Sequence, residues 1–464
     1  MVFAPERSRF PVLDPSDGSV IESVGSATAE DGIAAVDAAA AAAADWAARA
    51  PRERAQLLRG AFDLMTERLD SIAHLIVREM GKPLAEARGE AAYAAEFLRW
   101  FSEEAVRVPG DYGLAPAGTN RMLVGHAPIG VSLLITPWNF PAAMATRKIG
   151  PALAAGCTVI LKPAEETPLT AIAIGELLLE AGIPEGVVNV VTTDDPGPLC
   201  EAILADPRVR KLSFTGSTAV GRHLLGLAGR SVISTSMELG GNAPFLVLED
   251  ADLDVAVREA MAAKMRNGGE ACTAANRFLV HESVAEAFAA RLTDAMSAVR
   301  VAPGFEEGAQ LGPLINADAR AKVERLVADA VERGARVRCG GERLPGPGFF
   351  YPPTVLDAVQ PGSALLREEI FGPVAPIMTF TSEDEAVQMA NDTEYGLVAF
   401  VCSRDLRRAM AIGERIETGM VGLNRGVVSD PAAPFGGAKQ SGLGREGGHH
   451  GLLEFLEPKY FAFD

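Results

Sequence analysis

Short apolar runs alternate with longer helical patterns between residues 130 and 239, and this alternation constrains the fold more than any other feature of the sequence. The runs rich in apolar and β-branched residues are 131–135, 158–161, 187–191, 211–214 and 232–239. The helical patterns between them are 142–155, 170–181, 199–204 and 218–227. Because strands of about five residues separated by helices form parallel βαβ units, the pattern predicts a doubly wound α/β sheet. Ligands of such sheets bind at the carboxyl ends of the strands.

The remainder of the chain predicts a second α/β unit and flanking elements. A further alternation of strands and helices covers 243–421, and 464 residues are too many for one ordinary core. Ahead of the first sheet, a single helix is predicted over 51–80. Residues 111–125 and 451–463 are predicted to be extended, and they can add strands to an exposed sheet edge, including one in another subunit.

Charge and cysteine content exclude several classes of partner and ligand. The net charge is −18, which repels nucleic-acid phosphates and anionic membrane surfaces. No stretch approaches the roughly 20 uninterrupted apolar residues of a membrane span, and the charged N-terminus predicts no signal peptide. The cysteines are too scattered for a disulfide framework or a zinc site, which predicts a cytoplasmic protein without a bound metal. They are Cys157, Cys200, Cys272, Cys339 and Cys402.

Three loops at predicted strand ends carry residues suited to a dinucleotide. Residues 216–221 read Gly-Ser-Thr-Ala-Val-Gly and open a helix, as a phosphate-binding turn does, although a plain strand-to-helix turn fits equally well. Trp138 and Asn139 follow the first strand and can contact a cofactor or donate a hydrogen bond. Lys162 and Glu165 follow the second strand, where an acid can accept from ribose hydroxyls. Ordinary loop packing remains the alternative for each.

Two further residues have reactive side chains in glycine-containing segments. Glu238 ends the last strand of the first unit, where a carboxylate can act as a general base at a domain crevice. Cys272 follows two flexible glycines and is a candidate nucleophile. Taken singly, Glu238 also fits a surface glutamate, and an isolated cysteine is more often a small core hydrophobe.

The order and spacing of these segments resemble the aldehyde dehydrogenase superfamily nearly end to end. Three more segments extend the resemblance, and six or more collinear motifs cannot plausibly match by chance. The additional segments are Glu-Glu-Ile-Phe-Gly-Pro at 368–373, Pro-Phe-Gly-Gly at 434–437 and Ser-Gly-Leu-Gly-Arg-Glu at 441–446.

The resemblance implies a covalent mechanism with five participating residues. Cys272 is then the nucleophile, and Asn139 donates its amide to the developing oxyanion together with the Cys272 backbone N–H. Hydride passes to a nicotinamide, and Glu238 activates the water that hydrolyses the thioester. Lys148 and Glu446 correspond to residues of a proton relay around the base.

The resemblance also implies a nicotinamide-cofactor site, with NAD preferred and NADP possible. Glu165 stands where ribose hydroxyls are recognised, and its charge should repel a 2′-phosphate, although Lys162 can soften that repulsion. Glu369 corresponds to the acid that holds the nicotinamide ribose. The residues expected to contact the cofactor are Trp138, Lys162, Glu165, Gly216, Ser217, Gly221, Leu239, Glu369 and Phe371.

Within the superfamily the chain resembles the succinate-semialdehyde dehydrogenases. Arg147, Arg266 and Ser429 correspond to the residues that hold the distal carboxylate of the substrate in that group, and Arg offers a fork for one carboxylate. Structural ion pairs are the alternative for the two arginines. Arg425 is an additional cation in the substrate loop that could favour a longer or doubly charged acid. Glutarate semialdehyde is therefore a second substrate candidate.

Two positions near the nucleophile depart from common patterns. Glu270 stands where many relatives carry Gln, and an inward carboxylate would disfavour ionisation of Cys272, whereas an outward one would be neutral. Ala274 stands where the semialdehyde group carries a redox-pair cysteine.

The resemblance also implies the domain organisation. A doubly wound parallel-sheet cofactor domain is expected over 1–109 and 130–238, and an α/β catalytic domain over 239–437. A small oligomerisation extension is expected over 110–129 and 438–464, so that a homodimer or homotetramer is predicted.

Two other functions remain open at this point. One is a dehydrogenase that transfers the acyl group to coenzyme A, although that branch usually lacks a base at the position of Glu238. The other is a cofactor-binding scaffold without activity, against which the intact set of Cys272, Asn139 and Glu238 argues.

Overall fold

The computed structural model describes residues 2–3 and 8–464. Its helices are α1 (Ala29–Ala48), α2 (Pro51–Glu67), α3 (Leu69–Met80), α4 (Leu84–Glu104), α5 (Pro141–Ala155), α6 (Pro168–Glu180), α7 (Pro196–Ala205), α8 (Thr218–Arg230), α9 (Leu253–Met265), α10 (Glu282–Ser297), α11 (Ala317–Glu332), α12 (Glu383–Asn391), α13 (Leu406–Arg415) and α14 (Gly448–Leu453). Its strands are β1 (Val2–Phe3), β2 (Arg9–Leu13), β3 (Val20–Gly25), β4 (Asp111–Leu114), β5 (Arg121–Pro128), β6 (Val131–Ile135), β7 (Val159–Lys162), β8 (Val188–Val191), β9 (Val209–Thr215), β10 (Ser234–Glu238), β11 (Ala243–Val247), β12 (Ala275–His281), β13 (Arg336–Cys339), β14 (Thr354–Asp357), β15 (Val374–Phe380), β16 (Tyr395–Gly396), β17 (Val398–Cys402), β18 (Met420–Leu423), β19 (Ala438–Lys439), β20 (Gly442–Leu443) and β21 (Leu456–Phe463).

The predicted doubly wound sheet is confirmed. Its strand order is β1-β8-β7-β6-β9-β10-β20, and every neighbouring pair is parallel except β10 with β20. Every residue of β6, β7 and β8 is buried, as a sheet covered by helices on both faces requires. The chain runs outward from β6 in one direction and then returns to β9 on its other side. The carboxyl ends of β6 and β9 therefore flank the crevice where such sheets bind ligands.

The second α/β unit is likewise present, with strand order β13-β14-β15-β12-β11-β17-β18. Only β13 is antiparallel to its neighbour. One face packs against α9 and α10, and the other against α12 and α13. The chain leaves the first sheet at Glu238 and enters the second at Ala243, so residues 239–242 join the two sheets directly above the crevice.

Residues 111–125 and 451–463 meet in a third sheet of order β21-β5-β4. Its strands pair antiparallel, and Tyr112, Leu123 and Phe461 remain exposed on it. The expectation of an extended chain from residue 451 was wrong for its first part, because α14 continues to Leu453. Leu452 and Phe455 are buried in the core of the first unit, which explains why this part coils before the strand begins.

The predicted helix over 51–80 is two helices. Arg68 has φ −102° and ψ 18°, which ends α2, and α3 starts at the next residue. Both helices pack on α4 and share the core around it. None of the helices in the described part of the chain combines the length and apolar character that a membrane span requires.

Candidate active site

A cavity of about 310 Å³ lies where the two seven-stranded sheets meet. The loops after β6 and β9 contribute Trp138, Asn139 and Gly216 to its wall, and the loop before β12 contributes Cys272. Between Trp138 and Cys272 these residues span more than a hundred positions of the sequence. The fold therefore brings the candidate nucleophile and the dinucleotide loops to one site.

Cys272 lies in a turn immediately before β12, and its side chain is partly buried. A Cβ atom added at Gly241 would lie 2.2 Å from the Cys272 carbonyl oxygen, so only glycine allows this close approach. Burial raises the pKa of the Cys272 thiol to about 12. Negative charge on Glu369 and Glu238 adds to the rise, and the Arg147 charge opposes it.

A hydrogen-bond network joins the Asn139 loop to the Cys272 loop. The Asn139 side-chain Nδ2 donates to the Glu270 carbonyl at 2.9 Å, and Asn267 Nδ2 donates to the Asn139 carbonyl at 3.0 Å. Asn267 adopts a left-handed φ of 56°, which turns the chain sharply ahead of the nucleophile. Asn139 Nδ2 keeps a second proton for a ligand, so an amide donor is fixed beside Cys272 as an oxyanion site requires.

A buried ion pair stabilises the loop that carries Asn139. Lys82 and Glu90 are 3% and 4% exposed and 2.5 Å apart. Lys82 Nζ also donates to the Asn139 carbonyl at 2.8 Å and lies 4.2 Å from the centre of the Phe140 ring. Glu90 accepts from the Ala142 N–H at 2.9 Å and so caps the first turn of α5. The pair therefore positions the residue that presents the oxyanion donor.

Glu238 is 2% exposed and belongs to a charged cluster beside the cavity. Burial raises the pKa of its carboxyl well above the ordinary value, and Glu446 raises it further, while Lys148 opposes the shift. Lys148 forms an ion pair with Glu446 and donates to Ser213 Oγ at 3.0 Å. Glu238 Oε2 is buried and has no protein partner in the described residues. A buried carboxyl whose pKa is raised thus stands beside a Lys–Glu pair, an arrangement suited to a proton relay.

Most of the expected cofactor residues line the same cavity. The lining includes Trp138, Gly216, Ser217, Leu239, Glu369 and Phe371. Glu369 accepts from the Gly241 N–H at 3.1 Å, and burial raises the pKa of its carboxyl to about 7. The Trp138 and Phe371 rings meet edge to face at 5.3 Å.

The phosphate-binding turn has close backbone packing. Ser217 caps α8 by accepting from the Val220 N–H, so the start of this helix faces the cavity wall. A Cβ atom at Gly221 would lie only 2.4 Å from the Leu239 side chain. Because glycine has no Cβ, α8 can approach the end of β10 closely. Lys162 and Glu165 form an ion pair at 3.4 Å outside the cavity, at the end of β7.

The three expected substrate residues also line this cavity. Arg147 is 3% exposed, donates to the Tyr93 hydroxyl at 2.7 Å and lies 3.6 Å from Glu446. Arg266 lies 4.9 Å from the centre of the Phe140 ring, and it forms no ion pair with any residue that the structure describes. A structural ion pair, the alternative to substrate binding, is therefore present in part at Arg147, and none is found at Arg266 among the described residues.

Arg425 and Glu270 take positions that the sequence left open. Arg425 is exposed and donates to the Val427 carbonyl at 2.8 Å, outside the cavity, so the idea of an additional substrate cation was wrong. Glu270 is 1% exposed, and its carboxylate accepts from the Ile315 N–H at 3.1 Å. Its side chain thus points neither to solvent nor into the cavity.

The cavity residues that sequence reasoning missed include Tyr93 on α4 and Lys322 on α11. Burial lowers the pKa of the Lys322 ammonium, and Glu369 opposes this. Neither residue lies in a motif, and only the packing of their helices against the crevice reveals them. No cluster of His, Cys, Asp or Glu able to hold a metal ion occurs in residues 2–3 and 8–464.

A doubly wound sheet with a cysteine, an amide donor and a buried glutamate at its crevice is the arrangement expected of a dinucleotide-dependent oxidoreductase. The aldehyde dehydrogenase family matches residues 3–461 of this chain. The chain belongs to that family.

Similar proteins match this chain over nearly its whole length. A succinate-semialdehyde dehydrogenase of Paenarthrobacter nicotinovorans is 57% identical over 443 residues, which are 96% of this chain and 98% of the relative. A glutarate-semialdehyde dehydrogenase of Pseudomonas aeruginosa is 48% identical over 97% of this chain and 93% of its own. The crystal structure of an Escherichia coli NADP-dependent enzyme superposes with a TM-score of 0.97 at 48% identity, covering 98% of this chain and 94% of that one.

Proposed function

We propose that this chain oxidises a short aldehyde with a distal carboxylate, foremost succinate semialdehyde, to the corresponding dicarboxylate. The observation that carries the proposal is the convergence of Arg147, Arg266 and Ser429 on the cavity that holds Cys272. A cavity that presents guanidinium groups in a chain of net charge −18 favours an anionic ligand. The glutarate-semialdehyde dehydrogenase among the similar proteins keeps the five-carbon homologue as the second candidate.

The cavity fits a nicotinamide dinucleotide as the oxidant. Glu369 lines it and offers a carboxylate for a ribose. Gly216 and Ser217 present the start of α8 for a pyrophosphate. When bound, the nicotinamide accepts the hydride that leaves the aldehyde carbon.

The protein groups supply the remaining chemistry. The Cys272 thiolate adds to the aldehyde carbon, and Asn139 Nδ2 together with the Cys272 N–H stabilises the oxyanion. Loss of hydride leaves a thioester on Sγ. Glu238 takes a proton from water, the hydroxide adds to the thioester, and the C–S bond breaks to release the carboxylate and restore Cys272. Lys148 and Glu446 carry the proton away from Glu238.

Arg266→Ala is expected to lower kcat/KM for succinate semialdehyde about ten- to a hundredfold, with little loss for butyraldehyde. Charge-assisted hydrogen bonds contribute roughly 1.5–3 kcal/mol, and Arg266 has no competing ion pair in the described chain. Steady-state kinetics on both aldehydes, with thermal melts alongside, measure the difference.

Arg147→Ala is the comparison variant for this experiment. Because Arg147 also lies 3.6 Å from Glu446, its removal should lower the melting temperature and reduce turnover of both aldehydes. Equal losses on charged and uncharged aldehydes in Arg266→Ala would contradict the carboxylate site and leave only the dehydrogenase class.

NAD is the proposed preferred cofactor, and Glu165→Gln is expected to reduce the preference of NAD over NADP about tenfold. The carboxylate stands just after β7, where a 2′-phosphate would meet its charge, and Lys162 offsets part of that charge. The ratio of kcat/KM values for the two cofactors measures this, with exposed Glu185→Gln as the control. A wild-type preference for NADP would overturn the assignment. The similar E. coli structure is described as that of an NADP-dependent enzyme, so NADP is the cofactor to compare with NAD.

We also propose a cytoplasmic homodimer or homotetramer. All five cysteines are free, as in a reducing compartment, and the third sheet leaves apolar side chains exposed along β4, β5 and β21. A stable active monomer in light scattering would contradict the oligomer.

The coenzyme A and scaffold alternatives are weakened by the buried, unpartnered Glu238 beside Lys148 and Glu446. An assay with and without coenzyme A distinguishes them from hydrolytic oxidation.

A further inference from the structure

Tyr93 lies close to both cavity arginines. Its ring centre is 5.8 Å from the Arg147 guanidinium carbon and 6.0 Å from that of Arg266. The ring also meets Phe97 edge to face at 4.9 Å, which fixes its plane. A phenol that lies near both guanidinium groups and lines the cavity therefore borders the space in which they could bind a carboxylate.

The hydroxyl group of Tyr93 has an unused proton. It accepts a hydrogen bond from Arg147 Nη2 at 2.7 Å, and within residues 8–464 no acceptor takes its own proton. An O–H that already accepts from a cation is polarised, and it becomes a better donor to an anion. Arg147 therefore orients this phenol to donate.

The two arginines differ in how far neighbouring groups already bind their guanidinium groups. Arg147 is held by Tyr93, by Glu446 at 3.6 Å and by the Phe435 ring at 4.3 Å, so much of its charge is already matched. Arg266 has ring contacts and no ion pair among the described residues. Burial raises the pKa of the nearby Glu86, and the Arg266 charge opposes that rise without forming an ion pair.

We infer that Tyr93 is a substrate-binding and specificity-determining residue, whose phenol donates a hydrogen bond to the distal carboxylate of the aldehyde beside Arg266. Arg147 serves mainly as the positioning residue for that phenol. This inference rests on the proposed oxidation of a carboxylated aldehyde and assigns its recognition to a residue outside the motifs.

Tyr93→Phe tests the inference because it removes the hydroxyl and keeps the ring contacts. We expect kcat/KM for succinate semialdehyde to fall about ten- to a hundredfold, mainly through KM, with butyraldehyde changed less than about twofold. Succinate should inhibit butyraldehyde oxidation by the wild type, and its inhibition constant should rise by a similar factor in the variant. Tyr351→Phe, a buried phenol outside the cavity, is the matched control and should leave both aldehydes unchanged.

The outcomes separate this inference from the proposed function. A wild type that prefers butyraldehyde and is insensitive to succinate overturns the proposed function. A wild type that prefers the semialdehyde, with a Tyr93→Phe variant unchanged in KM and succinate inhibition, overturns the role of Tyr93 alone. Equal loss of kcat on both aldehydes would show that the hydroxyl acts only through Arg147 and its contact with Glu446, which also overturns it.

Discussion

Cys272→Ala is expected to lower kcat/KM for aldehyde oxidation at least a thousandfold while leaving the affinity for the dinucleotide nearly unchanged. The sulfur is the thiol nucleophile that lines the cavity together with Asn139, and without it no thioester can form. Asn139, Glu369 and the start of α8 remain in place, so cofactor binding should persist. Steady-state kinetics and a fluorescence titration of the cofactor measure the two quantities.

Cys339→Ala is the matched control, since Cys339 is also a partly buried free thiol but lies on β13, away from the cavity. It should retain wild-type activity. Residual turnover of Cys272→Ala above about a thousandth of wild type, which noncovalent routes could supply, would speak against covalent catalysis.

Glu238→Gln is expected to give one stoichiometric burst of reduced cofactor followed by a steady state about a hundred- to ten-thousandfold slower. Acylation and hydride transfer do not need the carboxylate, whereas hydrolysis of the thioester needs a base for water. Rapid-mixing absorbance at the reduced cofactor band measures the burst. Exposed Glu457→Gln is the control, and an unchanged steady state would assign the base elsewhere.

The pH profile gives the same prediction a second test. Burial and Glu446 raise the pKa of Glu238, so its base form grows as pH increases through that raised pKa. Wild-type deacylation should therefore rise with pH, and the slow deacylation of Glu238→Gln should lose this rise. Glu270 is a poor substitute base, because its carboxylate is held by the Ile315 N–H.

The backbone plan of the cofactor-binding unit could be predicted from the sequence. The run at 131–135 coincides with β6, and the strand after residue 158 is β7, displaced by one position. Continuous apolar runs of this length have no exposed face, so they are stable only in a sheet covered on both sides. The clustering of the motifs could be predicted from the same strand order, because loops at the carboxyl ends of parallel strands meet at one crevice.

Side-chain directions depended on packing between distant segments. Arg425 and Arg266 were both cations near substrate motifs, but one is exposed and the other lines the cavity. Glu270 could have faced either way, and its place was decided by a backbone N–H at residue 315. A local pattern contains no information about partners that lie dozens of residues away.

The sequence by itself determined the sheet type, the order of the motifs and the proposed reacting residues Cys272, Asn139 and Glu238. Only the tertiary structure decided that the Glu270 carboxylate accepts from the Ile315 N–H and that Tyr93 lies close to both cavity arginines. The physical reason is that strand and helix patterns follow from local burial. The environment of a charge or a hydroxyl depends instead on which helices of the two units pack around the cavity.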